Sequence, residues 1–297
     1  MENFLTYWDT TAEKIENILE EKLPGVQVMP ELIHEAMRYS TLGGGKRLRG
    51  MLVMAACEAV GGDVKQTDGL AAAVEMVHAY SLIHDDLPCM DDDDLRRGKP
   101  SNHRVYGDAM AVLAGDALLT LAFEILAQMP EDYGICPSVA IKVIAELSTG
   151  AGSQGMVGGQ VIDISSEGKK LTPQTLDYIH KHKTGALIKA ALRGGALIGG
   201  ASGKELELLT SYGESLGMAF QITDDILDEI GHADQLGKAI GADRDKGKQT
   251  YPRLYGLEKS IELAEACVAE CLDALKGFTC KANILRYLAT FIIQRDH

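Results

Sequence analysis

The stretch GLAAAVEMVHAYSLIHDDLPCMDDDD, residues 69–94, decides the fold because an apolar helical segment runs directly into a cluster of carboxylates. Its first part is rich in Ala, Leu, Met and Glu, which are strong helix formers, and its apolar residues recur at helical spacing. The same pattern returns in DAMAVLAGDALLTLAFEILAQM (108–129) and SIELAEACVAECLDALKGF (260–278). Alternating β-branched runs are scarce, so the sequence predicts an all-α protein of about ten or more helices.

Helices that are apolar on several faces must be covered by other helices. No Ser- or Pro-rich linker divides the chain. We therefore expect a single all-helical domain over residues 1–297, one large bundle in which two acidic clusters face each other across the centre. The breakers expected between its helices include Leu23-Pro24-Gly25, Gly43-Gly44-Gly45, Met129-Pro130 and Gly199-Gly200.

Composition limits the function classes. The 297 residues are 46% hydrophobic and carry a net charge of −14, which argues against nucleic acid as a partner. None of the six cysteines forms a Cys-x-x-Cys pair, which favours free thiols in a reducing cytoplasm. The acidic N-terminal segment lacks the features of a signal peptide, and no apolar run reaches the ~20 residues that span a bilayer. These features predict a cytoplasmic protein with no membrane partner.

Two acidic clusters each open with an Asp-Asp pair at the end of an apolar stretch. They are Asp85-Asp86-Leu87-Pro88-Cys89-Met90-Asp91 and Asp224-Asp225-Ile226-Leu227-Asp228. Crowded carboxylates on hydrophobic segments repel one another and lose hydration, so a cation must offset them. Mg²⁺ takes oxygen ligands and usually sits between carboxylates and substrate phosphates. Either cluster alone is also compatible with a solvated helix end, but the two together indicate metal-assisted diphosphate chemistry.

The first cluster needs a break in its helix. Asp85 and Asp91 are six apart, so a regular helix would place them on different faces. Pro88 disfavours helix just before it, and we expect the helix to break near Leu87 and Pro88 so that Asp91 returns toward Asp85. His78 lies seven residues before Asp85 and shares its face.

The second cluster fits a regular helix. Asp224 and Asp228 are four apart and lie on one face, one turn from each other. Asp225 points about 100° away, where it could support the site or bind metal from the side.

Basic residues stand beside both clusters. GGGKRLR (43–49) joins a flexible loop to three cations, and Arg can grip phosphate with two N–H groups. This is not a P-loop, because Arg47 occupies the position of the required Ser or Thr. Each of the other cations would more often be a surface residue if it stood alone: Arg96, Arg97, Lys183 (followed by Thr184), Lys238 and Lys248.

These motifs resemble the trans-isoprenyl diphosphate synthases, most closely the bacterial farnesyl diphosphate synthases. The resemblance implies an orthogonal helical bundle around a central cavity, usually a homodimer, with three Mg²⁺ ions per active site. It implies condensation of isopentenyl diphosphate with an allylic diphosphate (dimethylallyl, then geranyl) by ionisation, condensation and proton elimination. The matching blocks, in chain order, are GGGKRLR, DDLPCMDDDDLRRGKPSNH, GGQVIDI, HKTGALI, FQITDDILD, GADRDKGKQTYP and the ending FIIQRDH.

The resemblance also implies a role for each site residue. The metal ligands and their supports would be Asp85, Asp86, Asp91, Asp224, Asp225 and Asp228. Isopentenyl diphosphate would be held without metal by Lys46, Arg49, His78 and Arg97. The allylic diphosphate would be bound by Arg96, Lys183, Lys238 and Lys248, with Thr184 and Gln221 lining the reacting carbons. The residues needed for turnover would be Asp85, Asp91, Asp224, Lys183, Thr184, Gln221 and Lys238.

Product length is expected to depend on the helix that carries the first cluster. Tyr80 and Ser81 lie five and four residues before Asp85, and the family's rule takes an aromatic at the fifth position as a stop at fifteen carbons. Farnesyl diphosphate is therefore the expected product. Two alternatives stay open: Tyr80 is an ordinary buried aromatic, or the chain is a geranylgeranyl diphosphate synthase, in which Cys89 and KPSNH also occur.

Two other function classes are weighed. A class I terpene cyclase shares the helical fold, and an inactive regulatory subunit shares the sequence family. The cyclase would lack the intact second cluster and the GGGKRLR loop, and the subunit would usually lose one acidic cluster. The sequence keeps both clusters, which favours a catalytic chain.

Overall fold

The computed structural model describes residues 2–230 and 249–294. Within these ranges the chain forms fourteen α-helices, short 3₁₀ and π segments and one two-stranded hairpin, so the predicted all-α fold is confirmed. The described residues divide into two compact units, unit 1 from Met1–Met54 and Asp63–Ile144 and unit 2 from Ala55–Gly62 and Ala145–His297. The expectation of a single domain over 1–297 stays a prediction.

Unit 1 contains the first acidic cluster and the glycine-rich loop. Its helices are α1 (Glu2–Lys22), α2 (Glu31–Thr41), the first part of α3 (Leu48–Ala59), α4 (Asp68–Asp85), α5 (Asn102–Tyr106), α6 (Asp108–Tyr133) and the first part of α7 (Pro137–Ala151). A 3₁₀ turn (Val64–Thr67) precedes α4, and strands β1 (Leu95–Arg96) and β2 (Lys99–Pro100) pair antiparallel.

Helix α4 is buried on nearly every side, which explains why its sequence is apolar all round. It packs against α6 and also contacts α1 and α2. The run Ala71-Ala72-Ala73 lets these neighbours approach closely, and Met76 is fully buried. Burial of α4 fixes the place where the carboxylates that follow it emerge.

Helix α6 corrects two expectations. Met129-Pro130 was expected to break the chain, but Pro130 lies inside α6, which continues to Tyr133. Its missing N–H affects only the last turn, and the helix ends instead just before Gly134, whose φ is 67°. By length and composition α6 is also able to cross a membrane, contrary to the expectation that no apolar segment is long enough. It packs against α4, α2 and α5, and 39% of its most apolar window is buried.

Unit 2 contains the second acidic cluster. Its helices are the last parts of α3 and α7 together with α8 (Met156–Ser165), α9 (Pro173–Ile179), α10 (Ala186–Ile198), α11 (Gly203–Ile230), α12 (Tyr251–Tyr255), α13 (Leu257–Ala274) and α14 (Asn283–Gln294). A π-helical segment (His180–Gly185) joins α9 to α10, and a 3₁₀ turn (Cys280–Ala282) precedes α14.

Helix α11 is the centre of unit 2. It packs against α13, α10, α12, α14 and the π-helical segment. Gly217 permits a close approach to the π-helical segment, because a Cβ there would lie 2.8 Å from the Cα of Gly185. The side of α11 that carries the carboxylates is thereby held against residues 180–185.

Candidate active site

The first acidic cluster lies in a tight turn at the end of α4. The helix ends at Asp85, and the backbone N–H of Asp91 donates to the carbonyl oxygen of Asp85 at 2.9 Å. The N–H of Met90 donates to Leu87 O at 2.9 Å within the same turn. The predicted break and the return of Asp91 to Asp85 are therefore confirmed. Both aspartates are half-buried, so their carboxylates remain accessible.

Asp86 differs from its neighbour, because it is 2% exposed and paired with Arg96. Arg96 Nε donates to Oδ1 and Oδ2 of Asp86 at 3.0 and 3.2 Å, and Arg96 Nη2 also contacts Oδ1. Burial raises the pKa of Asp86, and the hydrogen bonds from Arg96 oppose that shift. The pair ties the helix end to the hairpin that follows it.

The hairpin presents Arg97 at its turn. Arg97 and Gly98 have φ of 53° and 74°, the left-handed pair that a two-residue hairpin of type I′ requires. The Arg97 guanidinium lies against Gly45 of the glycine-rich loop, where a Cβ would be 2.7 Å from Arg97 Cζ. Gly45 itself has φ of 136°, so a side chain there would be strained and would also displace Arg97. Lys46, the next residue, is exposed.

Arg47 faces the interior, although in the sequence it lies between two other cations, Lys46 and Arg49. It is 4% exposed and has φ of 49°. Its Nε donates to Glu16 Oε2 at 2.6 Å, its Nη2 donates to Thr41 O at 2.6 Å, and its Nη1 lies 3.6 Å from Glu75 Oε2. Glu75 Oε1 in turn accepts from Gly50 N at 2.9 Å. Arg47 therefore anchors the end of the loop that carries Lys46 and the start of α3, which carries Arg49, a role that GGGKRLR alone does not reveal.

A cleft in unit 1 brings several predicted residues together. His78, Asp86, Arg96 and Arg97 all line it. His78 is half-buried, and its pKa lies well below its usual range because of burial and then because nearby arginines, first Arg49, repel a further positive charge. A neutral imidazole among guanidinium groups makes the cleft suited to an anion. The remaining lining residues are Tyr39, Ser40, Gly43, Arg47, Glu75, Ala79, Leu82, Ile83, Lys99, Pro100, Ser101 and Asn102.

Tyr80 and Ser81 lie where the sequence placed them on α4. Tyr80 is 6% exposed and contacts the His84 ring edge-to-face at 5.7 Å. The Ser81 hydroxyl donates to the carbonyl oxygen of His78 at 2.9 Å. Burial, and then the charge of Asp85, raise the pKa of Tyr80, so its hydroxyl stays neutral.

The second acidic cluster lies on α11. Asp224 and Asp228 are half-buried on one face, whereas Asp225 is 5% exposed. Asp225 Oδ2 accepts from the backbone N–H of Tyr251 at 2.9 Å, and Oδ1 accepts from Gln221 Nε2 at 3.4 Å. The predicted i,i+4 pair and the divergent Asp225 are thus observed.

The π-helical segment supplies the other predicted residues of unit 2. Lys183 Nζ donates to Asp163 Oδ2 at 2.8 Å, and Thr184 Oγ1 donates to Gln221 Oε1 at 3.0 Å. Gly159 lets the segment approach α8, because a Cβ there would lie 2.1 Å from Lys183 N. π-Helical turns are frequent at functional sites. Asp163 and Gly159 were not assigned a role from the sequence, although both lie in the block GGQVIDI.

Two predicted residues, Lys238 and Lys248, lie outside the described residues. In the part of the chain that the structure describes, no group of three or more His, Cys, Asp or Glu side chains is already gathered as a metal site. In unit 1 the half-buried carboxylates Asp85 and Asp91, and in unit 2 the half-buried carboxylate Asp224, are oxygen donors of the kind that Mg²⁺ prefers, and substrate phosphates commonly complete its coordination. The donors of each unit therefore fit Mg²⁺ bound together with a diphosphate.

Comparisons with known proteins give matches over nearly the whole chain. The profile of a family described as Polyprenyl synthetase matches residues 30–290. The chain is 48% identical to the heterodimeric geranylgeranyl pyrophosphate synthase large subunit 1 of Arabidopsis thaliana, covering 99% of this chain and 80% of that protein. It is 45% identical to a geranylgeranyl diphosphate synthase of Cyanophora paradoxa, covering 99% and 97%. The crystal structure of an FPP/GFPP synthase from Zymomonas mobilis matches with a TM-score of 0.86 and 39% identity, covering 98% and 99%.

Proposed function

This chain belongs to the polyprenyl synthetase family of trans-isoprenyl diphosphate synthases, and from that premise we propose that it joins isopentenyl diphosphate to an allylic diphosphate. The observation that carries the proposal is the cleft of unit 1. His78, Arg96 and Arg97 line this cleft, and Asp85 and Asp91 lie in the adjoining turn at the end of α4. Carboxylates for a metal and guanidinium groups for a diphosphate are thus assembled within one unit.

The basic residues would bind and orient the two diphosphates. We assign isopentenyl diphosphate to Lys46, Arg49, His78 and Arg97, since the neutral His78 can donate to phosphate without adding charge. We assign the allylic diphosphate to Arg96 and Lys183, together with Lys238 and Lys248. Asp163 orients the Lys183 ammonium by accepting a hydrogen bond of 2.8 Å from Lys183 Nζ through Oδ2.

The proposed reaction needs charge stabilisation rather than a nucleophilic side chain. The allylic carbon–oxygen bond ionises, the double bond of isopentenyl diphosphate attacks the cation, and a proton is lost. Mg²⁺ held by Asp85, Asp91 and Asp224 would supply Lewis acidity for the leaving diphosphate. The resemblance to the family implies three such ions per active site. Lys and Arg groups already in place would stabilise the charge on the leaving diphosphate. The Thr184 hydroxyl donates a hydrogen bond to the Gln221 carbonyl oxygen, and both oxygens would lie beside the cation.

The comparisons favour geranylgeranyl diphosphate as the product. Both curated relatives described above are named geranylgeranyl synthases, at 48% and 45% identity. This reverses the preference for farnesyl diphosphate drawn from the sequence. Farnesyl diphosphate remains a second candidate because one structural observation favours it: the buried ring of Tyr80 lies one to two turns before Asp85 on α4.

One assay tests the reaction and its product. The purified chain is incubated with isopentenyl diphosphate, dimethylallyl or geranyl diphosphate and Mg²⁺, with no partner protein, and the products are identified by mass spectrometry. A linear twenty- or fifteen-carbon diphosphate supports the proposal and decides between the two candidates. A cyclised hydrocarbon would indicate a terpene cyclase, and inactivity without a partner would indicate a regulatory subunit; either outcome refutes the proposal.

We also propose a homodimer that acts in the cytoplasm on isoprenoid diphosphates, without nucleic acid or membrane as partner. The support is the surface of α6, where Val112 and Leu113 are 40% and 50% exposed. Such an apolar surface on a long helix suits a second copy of the same helix. Light scattering after gel filtration should give twice the mass of one chain. A monomeric mass, or co-sedimentation with lipid vesicles, would contradict this assignment.

A further inference from the structure

The last turn of α2 holds two separate parts of unit 1 through three consecutive residues, Tyr39, Ser40 and Thr41. The first two bond to strand β2 and to the start of α5, and the third bonds to the residue that follows the glycine-rich loop. We propose that residues 39–41 are a shared anchor that fixes the arginine hairpin relative to the glycine-rich loop, with Tyr39 and Asn102 as positioning residues for diphosphate binding. This inference rests on the proposed function of the cleft.

The Tyr39 hydroxyl bonds to a strand carbonyl that points away from the hairpin. Ser101 N donates to Asp94 O at 2.9 Å across the two chains of the hairpin. Because antiparallel pairs alternate between hydrogen-bonded and non-hydrogen-bonded, the neighbouring residue Pro100 belongs to a non-hydrogen-bonded pair. Its carbonyl oxygen therefore faces outward, and it accepts from the Tyr39 hydroxyl at 2.8 Å. Tyr39 thus holds β2, which is paired with the strand that carries Arg96.

Asn102 ties the segment after β2 to the same helix. It is the first residue of α5 and is 1% exposed. Its Nδ2 donates to Ser40 Oγ at 2.8 Å and to the Ala36 carbonyl oxygen at 2.9 Å, so α2 engages both N–H groups of the amide. At the other end of α5, the ring of Tyr106 meets the ring of Tyr39 edge-to-face at 5.6 Å. Strand β2 and both ends of α5 are therefore held by α2.

The same turn of α2 closes the glycine-rich loop. Thr41 is the last residue of α2, and its carbonyl oxygen accepts from Arg47 Nη2 at 2.6 Å, so the residues on either side of the loop 42–46 are bonded to each other. The Arg97 guanidinium, at the turn of the hairpin, lies against Gly45 of this loop. The hairpin is thus held at β2 by α2 and contacts the loop at its turn. Residues 39–41 therefore determine how Arg97 lies relative to Lys46.

Loss of the Tyr39 bond should weaken diphosphate binding and leave turnover at saturation nearly unchanged. The Asp86–Arg96 pair still holds β1, so the hairpin leaves its place only part of the time. Apparent affinity falls by the fraction of hairpin in place, and saturating substrate restores that place. A hydrogen bond corresponds to a factor of about 2–10, so Tyr39→Phe should raise the Kd for diphosphate and the KM for isopentenyl diphosphate by that factor, with kcat within about twofold. Asn102→Ala loses two bonds and should raise both constants further.

Hydrogen exchange and diphosphate binding test the anchor together. Exchange at the backbone amides of residues 95–101 is followed by mass spectrometry on the protein without ligand. The Kd of inorganic diphosphate is measured by calorimetry in EDTA, so that no metal contributes. Tyr106→Phe is the matched control, because it removes a hydroxyl from the neighbouring ring and leaves the bond to Pro100 in place. We expect Tyr39→Phe and Asn102→Ala to speed the exchange and raise the Kd, and Tyr106→Phe to match wild type in both.

Several results would overturn the inference. Unchanged exchange in both variants would show that residues 39–41 do not hold the hairpin, and a raised Kd with unchanged exchange in Tyr39→Phe would mean that its hydroxyl contacts the ligand directly. Faster exchange with an unchanged Kd, or a lower kcat with an unchanged KM, would indicate a purely structural role. If the wild type itself binds no diphosphate and transfers no prenyl group, the proposed function fails, and the exchange data still confirm or refute the anchor.

Discussion

Tyr80→Ala should lengthen the product by about one five-carbon unit. Tyr80 lies five residues before Asp85, about 7.5 Å along α4 at ~1.5 Å per residue. The next side chain on that face is Met76, four residues deeper and fully buried. If the growing chain follows α4, removing the ring should therefore extend the space available to it by about one helical turn, ~5–6 Å, before Met76 limits it. That depth is comparable to the length of one isoprene unit.

The assay compares product distributions of wild type and variant with the same substrates, by mass spectrometry. Because losing a buried aromatic costs about 3–5 kcal/mol, the variant is assayed at low temperature after circular dichroism shows that it is folded. Tyr80→Leu leaves a smaller opening and should give an intermediate distribution, and adding Met76→Ala to Tyr80→Ala should lengthen the product again. Tyr287→Ala, which removes an aromatic that is 47% exposed in unit 2, is the control and should change nothing. An active, folded Tyr80→Ala with the wild-type distribution would show that Tyr80 does not limit chain length.

Three further outcomes are expected. Asp85→Ala or Asp224→Ala should abolish turnover with helicity unchanged, and near-normal activity at ordinary Mg²⁺ would refute the metal assignment. Arg47→Met leaves the buried Glu75 carboxylate unpaired and should lower the free energy of unfolding by about 3–5 kcal/mol in denaturant titrations; an unchanged midpoint would contradict the anchoring role. The folded-state pKa of His78 lies below its unfolded value, so protonation favours unfolding and stability falls as pH drops through ~6.5, by at most about 1.4 kcal/mol per pH unit. His78→Gln should lose less stability over that range, and parallel pH profiles for both proteins would exclude this contribution.

Local backbone preferences made the turn in the first acidic cluster predictable. Pro88 disfavours helix before it, and α4 does end at Asp85 with Asp91 folded back onto its carbonyl. The helical period alone separated Asp225 from Asp224 and Asp228. The same local reasoning was wrong for Pro130, because a proline in the last turn of a helix removes little hydrogen bonding.

Partners from distant helices were not predictable. GGGKRLR shows three cations within four residues, and nothing in that motif indicates that Arg47 turns inward toward Glu16 and Glu75, on other helices. Asp163 likewise meets Lys183 only because Gly159 lets α8 approach the π-helical segment. Such pairs depend on helix packing, which sequence spacing does not encode.

The sequence by itself determined the helical class, the family and the residue types of the site, since these follow from local propensity and from motifs read in order. The tertiary structure decided which of the site's carboxylates are buried against partners and which are half-buried. In the sequence, Asp86 and Asp225 cannot be told apart from Asp85 and Asp224 by residue type. In the structure, Asp86 accepts hydrogen bonds from Arg96, and Asp225 accepts one from the backbone N–H of Tyr251. The physical reason is that burial and hydrogen-bond partners are properties of packed helices, and they divide identical carboxylates into different roles.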